Sequence, residues 1–125
     1  MTGESVLIVE DEGLIALHIS ELLERAGYRI TGTPISGEES LQIIQQSLPD
    51  LILMDIALAG KMDGIETARR IRREHDIPVI FLSAYSDQSR IDEAAAISPF
   101  GFLAKPVSDE ELFHAIARVF VQSQD

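Results

Sequence analysis

Four apolar runs of four residues, at 6–9, 51–54, 79–82 and 100–103, and one mixed run at 28–33, punctuate the chain at intervals of about 20 to 28 residues. Runs of this length, bounded by turn residues, read as strands. Between and after them the apolar positions recur at helical spacing, predicting helices over 14–26, 38–47, 65–74, 88–96 and 109–121. Boundary residues agree: Gly27 follows the first helix as a left-handed cap, and Pro49 and Pro78 stand just before strands. Ser108 with Glu111 three residues on has the spacing of a capping box.

A βα unit repeated five times is an α/β pattern, and strands apolar on both faces belong inside a parallel sheet covered by helices on each side. The run YRITGT is mixed and carries a glycine, which puts the second strand at an edge. Right-handed crossovers with the first strand central then give a doubly wound sheet in the order 2-1-3-4-5. At 125 residues the chain is read as one domain, with a core over about 5–121 and a short tail.

In such a sheet the carboxyl ends of all strands share one edge. The first strand ends on Glu10-Asp11, the third on Asp55, the fourth on Ser83, and the fifth on Lys105-Pro106. Two carboxylates about 5 Å apart repel by roughly 3 kcal/mol at an effective dielectric near 20, so three of them call for a counter-charge. A hard divalent cation is the natural one, and Mg²⁺ suits a site too sparse for an all-protein calcium cage. Lys105 is either a simple partner to one of the acids or a neutralising group for phosphoryl oxygens, and Ser83 is either a turn residue or a hydroxyl donor. Together these groups suit phosphoryl transfer onto a carboxylate, with Asp55 as nucleophile.

Composition narrows the field. A formal net charge of −11 argues against direct contact with nucleic acid or an anionic membrane surface. The sequence has no cysteine, which removes thiolate chemistry and disulfides. No apolar run is long enough to span a bilayer and no signal-peptide pattern opens the sequence, so a cytoplasmic protein is expected. His18, His75 and His114 fall on three different helices without paired ligand spacing. Neither a P-loop nor a G-x-G-x-x-G follows a strand.

The ordered motifs VLIVEDE, LILMDI, MDGIE, VIFLSAY and GFLAKP resemble those of response-regulator receiver domains, the phosphoacceptor half of two-component signalling. The resemblance implies a flavodoxin-like (βα)5 fold; no output domain follows in the sequence as written, which is read as a stand-alone receiver or an excised domain. It implies phosphorylation of Asp55 by a histidine kinase or phosphotransfer protein, and a metal site made of Glu10, Asp11, Asp55 and the Ala57 carbonyl. Ser83 and Lys105 would contact the phosphoryl group, the Lys105-Pro106 bond would be cis, and Ser83 would couple to Phe102 during switching. It also implies that Leu14, Ile15, His18 and Pro106 meet the phosphodonor. A monomer or a phosphorylation-dependent dimer is expected, catalysing only its own phosphorylation and slow dephosphorylation. A receiver-shaped interaction module that works unphosphorylated is the alternative. The chain departs from the family in the segment IALAGKMDG after Asp55, which is one residue longer than usual and lacks the usual proline. A bulky Tyr85 is expected to shield the aspartyl phosphate.

Overall fold

A computed structural model describes residues 3–123 and contains five parallel strands: β1 (Ser5–Val9), β2 (Arg29–Gly32), β3 (Leu51–Asp55), β4 (Val79–Ser83) and β5 (Gly101–Ala104). Their order is β2-β1-β3-β4-β5, as the crossover rule requires. The helices are α1 (Gly13–Arg25), α2 (Gly37–Gln46), α3 (Gly64–Glu74), α4 (Ile91–Ala95) and α5 (Asp109–Ser123), with a 3-10 helix over Tyr85–Arg90.

Period-two alternation divides the core into two layers. Leu7, Val9, Ile52, Met54 and Phe81 point to the face covered by α2, α3 and α4, where Ile44, Ile65, Ile71 and Ala94 meet them. Val6, Ile8, Leu53, Ile80 and Leu82 point to the opposite face, against Ile19 and Leu23 of α1 and Leu112 and Ile116 of α5. β1, β3 and β4 are buried along their whole length, whereas β2 is half-exposed at the edge. Its ladder with β1 slips by one residue between Val6 and Leu7.

The expected caps form. Gly27 has φ +100°, and the N–H groups of Gly27 and Tyr28 return to the carbonyls of Glu24 and Leu23, closing α1 with a left-handed turn. Ser108 and Glu111 exchange backbone-to-side-chain hydrogen bonds at 3.1 Å each. One expected helix is corrected. The single helix over 88–96 is instead a six-residue 3-10 helix followed by five α-helical residues. The polar run YSDQSR offers no apolar stripe to bury, and Asp87 folds back to accept the Ala84 N–H at 2.8 Å, tightening the first turn.

Candidate phosphoryl-transfer site

The end of β1 delivers Glu10 and Asp11, and the end of the adjacent β3 delivers Asp55. One carboxylate oxygen from each of the three lies within 4.8 Å of the others. Asp55 is 2% exposed and Glu10 is fully buried, while Asp11 is half-buried at the rim. Lys105, just past β5, reaches across the edge and places its Nζ 3.2 Å from Glu10 Oε1 and 3.2 Å from Asp55 Oδ2. Four residues spread over 96 positions of sequence therefore meet at one point, by strand order alone.

Backbone amides fix the acids. Asp55 Oδ1 accepts the Ala57 N–H at 3.2 Å, Glu10 Oε2 accepts the Glu12 N–H at 3.1 Å, and Asp11 Oδ2 accepts the Ala59 N–H at 3.1 Å. The last of these contacts lies in the segment that departs from the family pattern. The long loop is tied down by its own amide on Asp11 and by the buried side chains of Ile56, Leu58 and Met62.

Burial pushes the Glu10 carboxyl up to about 7, with the Asp55 charge adding to the rise and the Glu12 amide and Lys105 opposing it. Burial pulls the Lys105 ammonium down, but the charges of Asp55 and Glu10 outweigh it and hold it above its ordinary value. The residues fit a hard cation on their own terms. Glu10 Oε1 is buried and accepts no directed hydrogen bond, its contact with Lys105 being an ion pair only. Three carboxylates whose oxygens converge within 4.8 Å form the oxygen-only donor set that Mg²⁺ takes.

Ser83 ends β4 beside this cluster, with its backbone carbonyl accepting the Lys105 N–H at 2.8 Å. No hydrogen bond joins its side chain to Asp55. Phe102 pairs in register with Phe81 and stacks on it, ring centroids 5.7 Å apart at 25°. The Lys105-Pro106 peptide is cis. The Tyr85 ring, at 90% exposed, stands in solvent, so the burial of Asp55 comes from other groups. Leu14, Ile15, His18 and Pro106 line one cleft of about 520 Å³ between α1 and the segment leading into α5, with Lys105 at its inner wall. His18 Nε2 lies 3.1 Å from Asp109 Oδ1 across the cleft's rim.

Three features of the site escape a reading of the sequence. The Ala59 amide on Asp11 depends on the fold of an atypical loop. Asp87 is buried and holds the amide next to Ser83; its spacing, three residues beyond Ala84, is the one available signal. Gly64 packs directly on the Asp55 backbone. Among the described residues, the histidines take no part in any cluster of three metal-ligating groups. No helix of the described residues is long and apolar enough to cross a membrane.

A doubly wound sheet with an acid triad and a lysine at its carboxyl edge defines a class, and comparison with known proteins gives it a family. The model of the response regulator receiver domain matches residues 6–117, and the chain belongs to that family. It is 34% identical over 111 residues to the transcriptional regulatory protein PdtaR of Mycobacterium tuberculosis, covering 89% of this chain and 54% of that protein. It is 32% identical over 119 residues to sporulation initiation phosphotransferase F of Bacillus subtilis, covering 94% of each. The signal receiver domain of a modulated diguanylate cyclase from Desulfovibrio desulfuricans G20 superposes with a TM-score of 0.89 at 36% identity, over 98% of this chain and 97% of that one. The chain spans about half the length of several regulators it matches. The family is a regulatory phosphoacceptor domain of two-component systems, and Glu10, Asp11 and Asp55 of this chain form a cluster that could hold a metal ion.

Proposed function

We propose that Asp55 accepts a phosphoryl group from a histidine kinase or a phosphotransfer protein, and that Glu10, Asp11, Asp55 and the Ala57 carbonyl hold Mg²⁺ while it does so. The observation that carries this reading is the Lys105 Nζ, 3.2 Å from both Asp55 and Glu10: a positive charge held between two buried carboxylates that have a third acid at the rim beside them. A carboxylate oxygen of Asp55 attacks the phosphorus, the O–P bond forms as the donor's P–N bond breaks, and the departing imidazole nitrogen keeps the electron pair and is protonated. Asp55 is oriented for this by the Ala57 N–H on its other oxygen. Lys105 moves from pairing with the carboxylates to pairing with a phosphoryl oxygen, and Ser83 supplies a hydroxyl to another. What a bound Mg²⁺ supplies is neutralisation of the phosphoryl oxygens.

The phosphodonor docks on Leu14, Ile15, His18 and Pro106, whose cleft opens beside Lys105. Switching runs through Ser83 and Phe102, and its output is altered binding of a downstream protein, by a monomer or a phosphorylation-dependent dimer, in the cytoplasm. Incubation with acetyl phosphate and Mg²⁺, read by intact-mass spectrometry, tests the central claim. One added phosphoryl group, lost in Asp55→Asn, is expected; an unmodified chain would leave a passive interaction module as the better account.

A further inference from the structure

The described surface carries one closed ring of charges. Arg90, the last residue of the 3-10 helix, pairs with Asp63 Oδ2 and places Nη2 3.0 Å from Glu93 Oε1. Glu93 Oε2 lies 3.8 Å from Arg69, Arg69 lies 2.6 Å from Glu66, and the Glu66 N–H donates to Asp63 Oδ1 at 2.9 Å. The ring is half-buried except at Glu93, which is exposed, and it joins the start of α3 to the 3-10 helix and α4.

The two elements this ring joins both lead back to the site. Asp63 caps α3, whose first residue, Gly64, packs on the Asp55 backbone. Arg90 ends the 3-10 helix that begins two residues after Ser83. Six residues is long for a 3-10 helix, whose hydrogen-bond geometry is poorer than that of an α-helix. The segment is pinned at its near end by Asp87 on the Ala84 amide and at its far end by Arg90. With the segment so held, Ser83 makes no hydrogen bond to Asp55, and any shift of Ser83 toward a phosphoryl group there would carry the start of the segment with it.

We infer that Arg90 is a positioning residue: its fork between Asp63 and Glu93 holds the β4–α4 segment in the resting arrangement and sets how readily Ser83 swings toward Asp55. The inference rests on the reading of Asp55 as phosphoacceptor. Exposed ion pairs contribute little singly, but a fork shared by two acids in a closed ring acts as a unit. Opening it favours the moved arrangement over the resting one.

The test compares wild type, Arg90→Gln, Asp63→Asn and the double variant; asparagine keeps the α3 cap while removing the charge. Amide hydrogen exchange without phosphodonor is expected to quicken across residues 84–95 in each variant, leaving α1 and α5 unchanged. Labelling by acetyl phosphate with Mg²⁺ is expected to run about threefold to fivefold faster in either single variant, with the double variant no faster than a single one, because both open the same contact. Unchanged exchange over 84–95, slower labelling, or rates that multiply in the double variant would each overturn the inference. A wild-type chain that takes up no phosphoryl group overturns the reading of Asp55 instead, and the exchange data then decide the clamp alone.

Discussion

Gly64 lies against the carbonyl of Asp55 so closely that a Cβ built on it would fall 1.9 Å from that oxygen and 3.0 Å from the Ile56 Cα. The Gly64 N–H also donates to the Ile56 carbonyl at 2.9 Å, so α3 starts directly on the backbone that presents Asp55. A methyl group there meets main chain, which cannot rotate away. Gly64→Ala is therefore expected to lose about 2–3 kcal/mol of stability in urea titration. Because the atom displaced belongs to Asp55 itself, labelling by acetyl phosphate is expected to slow at temperatures where the variant remains folded.

Glu10 is expected to make the metal-free protein sensitive to pH near neutrality. Its carboxyl is raised from 4.5 to about 7, first by burial. A raised acid favours the protonated folded form, so this contribution is full below pH 4.5 and is lost as pH rises through about 7. Between pH 5 and 8 the metal-free chain is expected to lose on the order of 2 kcal/mol through this group, and Glu10→Gln flattens that slope. Cation binding needs the ionised carboxylate, so Mg²⁺ affinity is expected to be about tenfold weaker at pH 6 than at its high-pH plateau. Calorimetric titration across this range checks both slopes.

Removing Lys105 exposes what it neutralises. Lys105→Met leaves Glu10 and Asp55 facing each other in a buried site with no positive partner. Without metal, the variant is expected to be destabilised by about 2–3 kcal/mol, since an ion cluster stripped of one partner keeps its desolvation cost. Saturating Mg²⁺ is expected to restore most of this loss, because the cation takes over the neutralising role. Labelling stays at least about tenfold slower, as the ammonium aimed at the phosphoryl oxygens is gone. Thermal melts with and without Mg²⁺ separate the two effects.

The strand ends were legible because a parallel sheet converts apolar run lengths into spatial convergence: Asp11, Asp55 and Lys105 needed only strand order to be brought together. The segment from Tyr85 to Arg90 was not, since a polar run carries no periodicity and its 3-10 form depends on Asp87 reaching back to Ala84. β5 was offset by one residue for a different reason. The Phe100 N–H already donates to Val79, but the ladder with β4 starts only at Gly101. The pairing of Arg90 with Asp63 joins residues 27 apart and exists only once α3 and the 3-10 helix lie side by side, a relation that no local pattern encodes.

The proposed docking cleft beside Lys105 allows the chemistry and the recognition of a donor to be tested apart. Leu14 is 84% exposed on the first turn of α1, so it contributes little to the core, and it lines the cleft together with Ile15, His18 and Pro106. A large aliphatic side chain in that position, next to an apolar cavity of about 520 Å³, is suited to a partner helix that lays one apolar face into it. Leu14→Asp is expected to change stability by less than about 0.5 kcal/mol, as surface substitutions do. A charge placed in this cleft is expected to slow transfer from a phosphorylated histidine kinase or phosphotransfer protein by about tenfold or more, while labelling by acetyl phosphate, which needs no docking surface, proceeds at the wild-type rate. Equal slowing with both donors would place Leu14 in the chemistry, and no slowing with either would remove α1 from the docking surface.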